Sequence, residues 1–91
     1  RNRYNAEVER TLALKHIADD YAVAVKIRNF VAAYVEAHPN EDTSEFQAWA
    51  NSKADWYDPT VAKTDEILGK RDHEQSEAEK TLKKRSNYGW W

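Results

Sequence analysis

The spacing of apolar residues predicts two helical segments in the first forty positions. A first helix is predicted from Asn5 to Ala18, where apolar residues recur at helical intervals among charged ones: Val8, Leu12 and Ile17. A central helix is predicted from Tyr21 to Ala37, where the i, i+4, i+7, i+11 rule is followed by Val23, Ile27, Phe30 and Tyr34. This segment is too long, and its period too close to 3.6, for a strand.

Asp19 and Asp20 separate the two predicted segments. Aspartate is a good N-cap, so the pair is compatible with a break and a new helix. It is equally compatible with one continuous helix that carries both carboxylates on its solvent face. The sequence leaves both arrangements open.

A polar stop at residues 38–42 ends the central helix, since Pro39 cannot continue it. Thr43 or Ser44 then offers an N-cap, and the Ser44 to Gln47 run has the spacing of a capping box. A helix from about Glu45 to Tyr57 is therefore predicted.

One side of this helix is rich in aromatic residues, and the side comprises Phe46, Trp49, Ala50, Lys53 and Trp56. The apolar stripe of the central helix is the natural partner, which predicts an antiparallel helical hairpin across the Pro39 loop. The expected core is Trp49, Trp56, Phe30 and Tyr34. The predicted fold class is all-α: a small helical domain built on this hairpin, with three to five helices.

Residues 1–69 are predicted to form the helical body. Asp58-Pro59 either begins a short further helix or forms a turn that ends the previous one. Thr64 to Glu66 is predicted to begin a brief helical turn that Gly69 ends.

Residues 70–91 are predicted to be a charged short helix and an aromatic tail of the same domain. The composition becomes strongly charged after Gly69, which indicates a solvated segment. Ser76 to Glu79 has capping-box spacing and predicts a short helix through about Lys84. The aromatic ending must pack on the body or bind a partner.

Composition narrows the class of protein. The 91 residues suit one domain, and two glycines and two prolines leave few tight turns for β-hairpins. Cysteine is absent, which excludes disulfides and fits a reducing, cytoplasmic compartment. Lys26 and Arg28 interrupt the best apolar run, so no membrane span is expected. The first residue is Arg1 and methionine is absent, so a fragment whose parent extends upstream is expected.

The charge pattern offers one local candidate for nucleic-acid binding. The net charge of −2 gives no overall attraction to a polyanion. A basic cluster precedes three aromatic residues, a combination that binds single strands by charge and stacking; these residues are Lys80, Lys83, Lys84, Arg85, Tyr88, Trp90 and Trp91. A solvated helix end is the favoured interpretation, because three nearby glutamates cancel much of the field.

Neither catalysis nor metal binding is predicted. The histidines His16, His38 and His73 lack ligand spacing. The carboxylate pairs Asp19-Asp20, Asp55-Asp58 and Asp65-Glu66 all have capping or solvation roles available. No serine lies in a nucleophile turn, and no glycine loop can hold a phosphate. We therefore expect no enzyme activity, no catalytic residues, no metal and no cofactor.

Arg28 is the candidate of most interest in the helical body. It lies at the edge of the most apolar helix, where its stem can pack while its guanidinium meets a carboxylate. Asp55 or Asp58 is the expected partner. A structural ion pair is favoured over a ligand contact.

Two strings carry a resemblance to a known group of proteins. Tyr21-x-x-Ala24-x-x-Ile27-Arg28-x-Phe30-Val31 is followed by Trp49-Ala50-x-x-Lys53-Ala54-Asp55-Trp56-Tyr57-Asp58-Pro59. Over the range from Ala6 to Pro59, the chain resembles the helical C-terminal region of uncharacterised bacterial proteins, often encoded on phages, plasmids or integrated mobile elements. Tyr21 stands where that group has tryptophan. The resemblance implies a bacterial, cytoplasmic helical appendage and brings no assigned reaction.

The function expected from these observations is a non-catalytic helical protein-interaction module at the C-terminus of a larger bacterial protein. Its partner is a protein or the upstream region of the same chain; the oligomeric state is open, and no membrane is expected. The candidate interaction surface is Arg28, Lys83, Lys84, Arg85, Tyr88, Trp90 and Trp91. The alternative is a nucleic-acid-binding accessory domain that uses the basic aromatic tail, and an accessory or lid domain of an upstream enzyme is a third hypothesis.

Overall fold

The computed structural model describes residues 2–75, which contain two α-helices and no β-strand. Helix α1 spans Asn2–Ala37 and helix α2 spans Ser44–Tyr57. The all-helical class is confirmed. The predicted count of three to five helices is wrong for this part of the chain, because the first two segments fuse and the short ones near Asp58 and Thr64 do not form.

Helix α1 is continuous through Asp19 and Asp20. It contains neither glycine nor proline, and its 36 residues make a rod of about 54 Å. Asp20 does not cap a helix, because its buried side chain turns toward other parts of the chain. The continuous alternative is therefore the correct one.

Polar contacts define the loop between the helices. At the end of α1, the Nδ1 atom of His38 lies 2.8 Å from the carbonyl oxygen of Tyr34, and the two rings stack. Thr43 is the N-cap of α2, but the predicted capping box does not form. The Gln47 side chain donates instead to the Thr43 hydroxyl at 2.9 Å, and Ser44 donates to Asp42.

The two helices run antiparallel. Near the loop, the rings of Tyr34 and Phe46 lie 4.7 Å apart, and at the far end of α2 Arg28 reaches Asp58. The buried hydrophobic residues at their contact are small: Ala24, Val31, Ala50 and Ala54. Such side chains let the backbones approach closely, and they leave little room for rings between the helices.

The predicted aromatic core is therefore wrong for two of its four members. Phe30 and Trp49 are exposed, whereas Tyr34 and Trp56 are half-buried. The periodicity placed each ring on the correct flank of its helix. The alanines lie at the centre of the contact because two closely packed helices leave space there for Cβ atoms and not for indole rings.

Turns follow α2: at Asp58 the turn alternative is the correct one, and the brief helical turn predicted from Thr64 does not form. Asp58 accepts hydrogen bonds from the backbone and hydroxyl of Thr60, so the chain turns at once. Asp65 accepts bonds from the amides of Ile67 and Leu68 and pairs by backbone with Gly69. Gly69 has φ 77°, a conformation that other residues rarely adopt, and it closes this loop.

Residues 70–75 return along α1. The expectation that charges in this segment face solvent is wrong for Arg71, whose side chain is buried against Asp20. No helix among residues 2–75 is long and apolar enough to cross a bilayer. The predicted helix beginning at the Ser76 capping box lies outside the described residues.

Candidate interaction surface

Arg28 joins the two helices through a pair of carboxylates. Its Nη1 donates to Asp58 Oδ2 at 2.7 Å, and its Nη2 donates to Asp55 Oδ1 at 2.9 Å. The predicted ion pair is confirmed, and it includes both candidate partners. Because Asp55 is at the last turn of α2 and Asp58 follows it, one guanidinium fixes the end of α2 against the middle of α1.

The pKa directions agree with this geometry. Hydrogen bonds from Arg28 to Asp58 and then Asp55 raise the pKa of Arg28 above its ordinary value. Burial alone raises the pKa of Asp58, but the hydrogen bonds from Thr60 and Arg28 together outweigh it and leave that pKa lowered. Arg28 and Asp58 are therefore both charged at neutral pH, and their ion pair holds the end of α2 against α1.

A second polar cluster surrounds Asp20. Arg71 donates to both of its carboxylate oxygens, from Nε at 2.7 Å and from Nη2 at 2.8 Å. The Nδ1 atom of His73 lies 2.8 Å from Oδ2 of the same carboxylate. The exposed fractions of the Asp20 and Arg71 side chains are only 8% and 7%, so this ion pair is shielded from water.

Aromatic rings hold Arg71 from the other side. Its guanidinium carbon lies 4.5 Å from the Tyr57 ring centroid and 5.1 Å from that of Trp56, within cation–π distance. The Trp56 indole nitrogen donates to the Gly69 carbonyl at 2.7 Å. The segment after α2 is thus fastened to both helices, and we call residues 70–75 the strap.

A further ion pair fixes the loop before the strap. Lys53 donates to Asp65 Oδ2 at 2.5 Å. This bond, together with those from the amides of Leu68 and Ile67, lowers the pKa of Asp65 to about 2. The Asp65 carboxylate is therefore ionised throughout the physiological range and serves as a turn-forming acceptor.

An apolar groove of about 360 Å³ lies on one flank of the helix pair and is lined by residues of both α1 and α2. Its walls carry two of the most exposed large hydrophobic side chains, Phe30 at 59% and Trp49 at 60% exposed. Phe46 lies between them, with ring centroids 6.4 Å from Phe30 and 6.3 Å from Trp49. We call this the aromatic groove, and its lining residues are Lys26, Ile27, Phe30, Val31, Phe46, Trp49, Ala50 and Lys53.

The charged residues at the edge of the aromatic groove are basic. Lys53 is paired with Asp65. Lys26, on the exposed side of α1, has no carboxylate within 4.0 Å among residues 2–75. An apolar surface with an uncompensated ammonium group at its edge suits an apolar ligand that carries a carboxylate beside it.

A larger depression of about 630 Å³ adjoins the strap, but its chemistry is mixed. Lys70, Arg71 and His73 line it together with Asp72 and Glu74. The opposite charges alternate along the strap, and Arg71 and His73 contact Asp20. This depression has no excess of one sign that would select a charged ligand.

The histidines make structural contacts. His38 contacts the end of α1, His73 contacts Asp20, and the Nδ1 atom of His16 lies 2.9 Å from the Glu74 carbonyl oxygen. No group of three or more potential metal-ligating side chains lies together within residues 2–75.

Of the predicted interaction residues, Arg28 is the one within the described chain. Its guanidinium is occupied by two carboxylates, so it is a scaffold residue at the back of the helix pair. The others lie outside the described residues, and they are Lys83, Lys84, Arg85, Tyr88, Trp90 and Trp91.

Sequence reasoning missed the surface that the structure presents. Phe30 and Trp49 were assigned to the core, because periodicity identifies a flank and not the depth of burial. The signal that could have found this surface is the small residues on the facing sides of the helices. Ala50 and Ala54 are one turn apart in α2, and Ala24 lies in α1. Such small side chains indicate a close helix contact that excludes aromatic rings.

Compared with known protein families, curated proteins and solved structures, the chain shows no significant match.

Proposed function

We propose that this chain is a non-catalytic helical module that binds a protein partner through the aromatic groove. The observation that carries the proposal is the exposure of Phe30 and Trp49 side by side around an apolar groove. Large rings in a concave, apolar surface are the usual centres of protein-binding sites, because covering them removes much apolar area from water.

The groove favours a helix as the bound element. It runs between two helices, where a third helix can place side chains at i, i+4 and i+8 against the rings. The ammonium group of Lys26 selects a helix with carboxylates beside its apolar stripe. The partner of the proposal is therefore an amphipathic helix with acidic flanks.

The absence of an enzyme role is part of the same proposal. The carboxylates that come together have cationic or turn-forming partners: Asp20, Asp55, Asp58 and Asp65. The resemblance to helical C-terminal regions of bacterial proteins from mobile elements supports a further proposal, that the module belongs to a larger bacterial protein in the cytoplasm. Nucleic-acid binding by the basic aromatic tail stays a prediction, because its residues lie outside the described chain.

The test replaces Trp49 by a photo-crosslinking phenylalanine analogue in the source cells and identifies the cross-linked protein. The purified partner is then titrated with the chain and with the variants Trp49→Lys and Phe30→Lys. We expect both variants to raise the Kd at least tenfold, since a charge in the groove opposes apolar contact.

The matched control is Tyr21→Lys. Tyr21 is an exposed aromatic residue of α1, like Phe30, but it does not line the groove. It should change the Kd less than twofold. Equal loss of affinity in all three variants, or in none, contradicts the proposal. Retained single-stranded DNA binding by a chain that binds no protein would favour the alternative function.

A further inference from the structure

We propose that the helix bound in the aromatic groove is the first half of α1 from a second copy of this chain, so that the protein is an antiparallel dimer. This inference rests on the proposed function and specifies its partner. In the dimer, residues 2–19 of each copy lie in the groove of the other. We call residues 2–19 the arm.

The apolar side of the arm is exposed in the described part of the chain. Helix α1 is about 54 Å long and α2 only about 21 Å, so α2 can cover less than half of α1. The strap contacts α1 from His16 onward. Before that point, three large apolar side chains are exposed at positions i, i+4 and i+8, and they are Tyr4, Val8 and Leu12.

The exposed stripe of the arm continues into the aromatic groove. Leu12 and Phe30 are eighteen residues apart, which is five full turns at about 100° per residue, so they lie on the same side of α1. One two-fold axis near the middle of α1 can therefore bring each arm onto the other copy's Phe30. A self-complementary surface of this kind is what a two-fold dimer requires.

The charges specify the antiparallel register. If Tyr4 of one copy lies opposite Phe30 of the other, Lys15 lies opposite Asp19 at the axis. Both charged residues are exposed, and they already attract each other within one copy at 2.9 Å. A parallel pair would place like charges opposite each other, which is unfavourable.

The same register places carboxylates near the ammonium group of Lys26. In it, Lys26 lies opposite Val8 of the other copy, and the residues that flank Val8 are Glu7 and Glu9. Both are exposed, so the arm has the acidic flanks that the basic edge of the groove selects. The two basic residues of the arm's first turns, Arg3 and Arg10, lie on its far side by helical periodicity.

The exposed apolar surface of the arm and the groove is large enough for a specific dimer interface. Taking roughly 150–250 Å² for an aromatic side chain, the exposed parts of Tyr4, Val8, Leu12, Phe30 and Trp49 come to about 500 Å² per copy. Two copies thus remove about 1,000 Å² of apolar surface before polar contacts are counted, which reaches the size of a specific interface. The radius of gyration of 16.8 Å also exceeds the roughly 12 Å of a compact chain of this length, as expected of a subunit with a projecting arm.

The first experiment measures the mass of the full chain in solution by light scattering and sedimentation. We expect about 21 kDa, twice the 10.6 kDa of one copy. Leu12→Lys should weaken the dimer at least tenfold. Leu14→Lys is the matched control, because Leu14 is more exposed than Leu12, at 64% against 49%, but about 200° around the helix, and it should leave the dimer intact.

The second experiment tests the register and uses the absence of native cysteine. Val8→Cys and Lys26→Cys, which lie on the same side of α1 and opposite each other in this register, are made in separate chains and oxidised alone or after mixing. A disulfide-linked pair is expected only from the mixture, because each cysteine faces the other position in the antiparallel dimer.

The outcomes separate this inference from the proposed function. A chain that stays monomeric at about 100 µM, or a Leu14→Lys variant that dissociates while Leu12→Lys does not, overturns the dimer. If that monomer binds another protein in a Trp49-dependent way, the proposed function stands. A dimer unaffected by both Phe30→Lys and Trp49→Lys overturns the inference, because the second copy then lies elsewhere. The proposed function fails separately, if no protein binds the chain in a Trp49-dependent way.

Discussion

Asp20, in the middle of α1, accepts two hydrogen bonds from the guanidinium of Arg71, which is 51 positions later in the chain. Both side chains are shielded from water, and Trp56 stacks near the guanidinium. This contact fastens the strap across α1 and carries the chain back past the end of α2. This buried ion pair is therefore one of the contacts that position the segment after the helices, together with those of His73 and Trp56.

Replacing Asp20 by asparagine should release the strap. The variant keeps the size of the side chain but removes the carboxylate charge that faces the buried guanidinium, which costs roughly 3 to 5 kcal/mol. Urea unfolding measures the loss of stability, and hydrogen exchange at residues 70–75 locates it. Glu36→Gln is the control, since Glu36 is an exposed acid of the same helix, and it should change the free energy of unfolding by less than about 0.5 kcal/mol. Equal effects of the two variants would refute a structural role for Asp20.

Replacing Arg28 by alanine should destabilise the contact between the two helices. Asp58 is buried and would lose the hydrogen bond from the charged guanidinium while keeping those from Thr60, so we expect a cost of roughly 1 to 3 kcal/mol. Arg28→Lys should recover only part of it, because one ammonium group does not reproduce the fork that joins two carboxylates. Thermal unfolding of the three proteins provides the measurement. Full recovery by lysine would show that charge alone matters.

The two tryptophans of α2 should differ in their effect on stability. Trp49→Ala should cost less than about 1 kcal/mol because its indole is exposed. Trp56→Ala should cost about 3 kcal/mol, since the half-buried ring contacts Arg71 and its nitrogen donates to Gly69. Both are measured in the Leu12→Lys background, so that association does not contribute. A larger loss for Trp49 would place it in the core after all.

Acid should weaken the loop between α2 and the strap. Lys53 and the amides of Leu68 and Ile67 lower the folded-state pKa of Asp65 to about 2, against about 4 in the unfolded chain. A lowered carboxylate pKa stabilises the folded state above the unfolded value, and that contribution is lost as the pH falls from about 4 to 2. Thermal melts between pH 7 and pH 2 should show this loss, and Asp65→Asn should make the decline shallower. An unchanged decline would exclude Asp65 as its source.

Local sequence signals predicted the helices well, gave the turn at Asp58 as one of two alternatives, and missed the turn at Asp65. The apolar period placed α1 and α2, and Pro39 marked the loop between them. The turns at Asp58 and Asp65 were harder, because an aspartate at the start of a helix and an aspartate in a turn use the same side-chain hydrogen bonds. Which one forms depends on the ion pairs that each makes with Arg28 or Lys53.

The sequence by itself determined the all-helical class, the flank of each helix that meets the other, and the pairing of Arg28 with the end of α2. These follow from periodicity and charge, which act over a few turns of helix. Only the tertiary structure decided that alanines form the centre of the contact, that Phe30 and Trp49 stay at the surface, and that Asp20 is buried under Arg71. Depth of burial depends on how closely two backbones approach, and an ion pair between distant positions depends on where the chain returns, so neither can be read from local spacing.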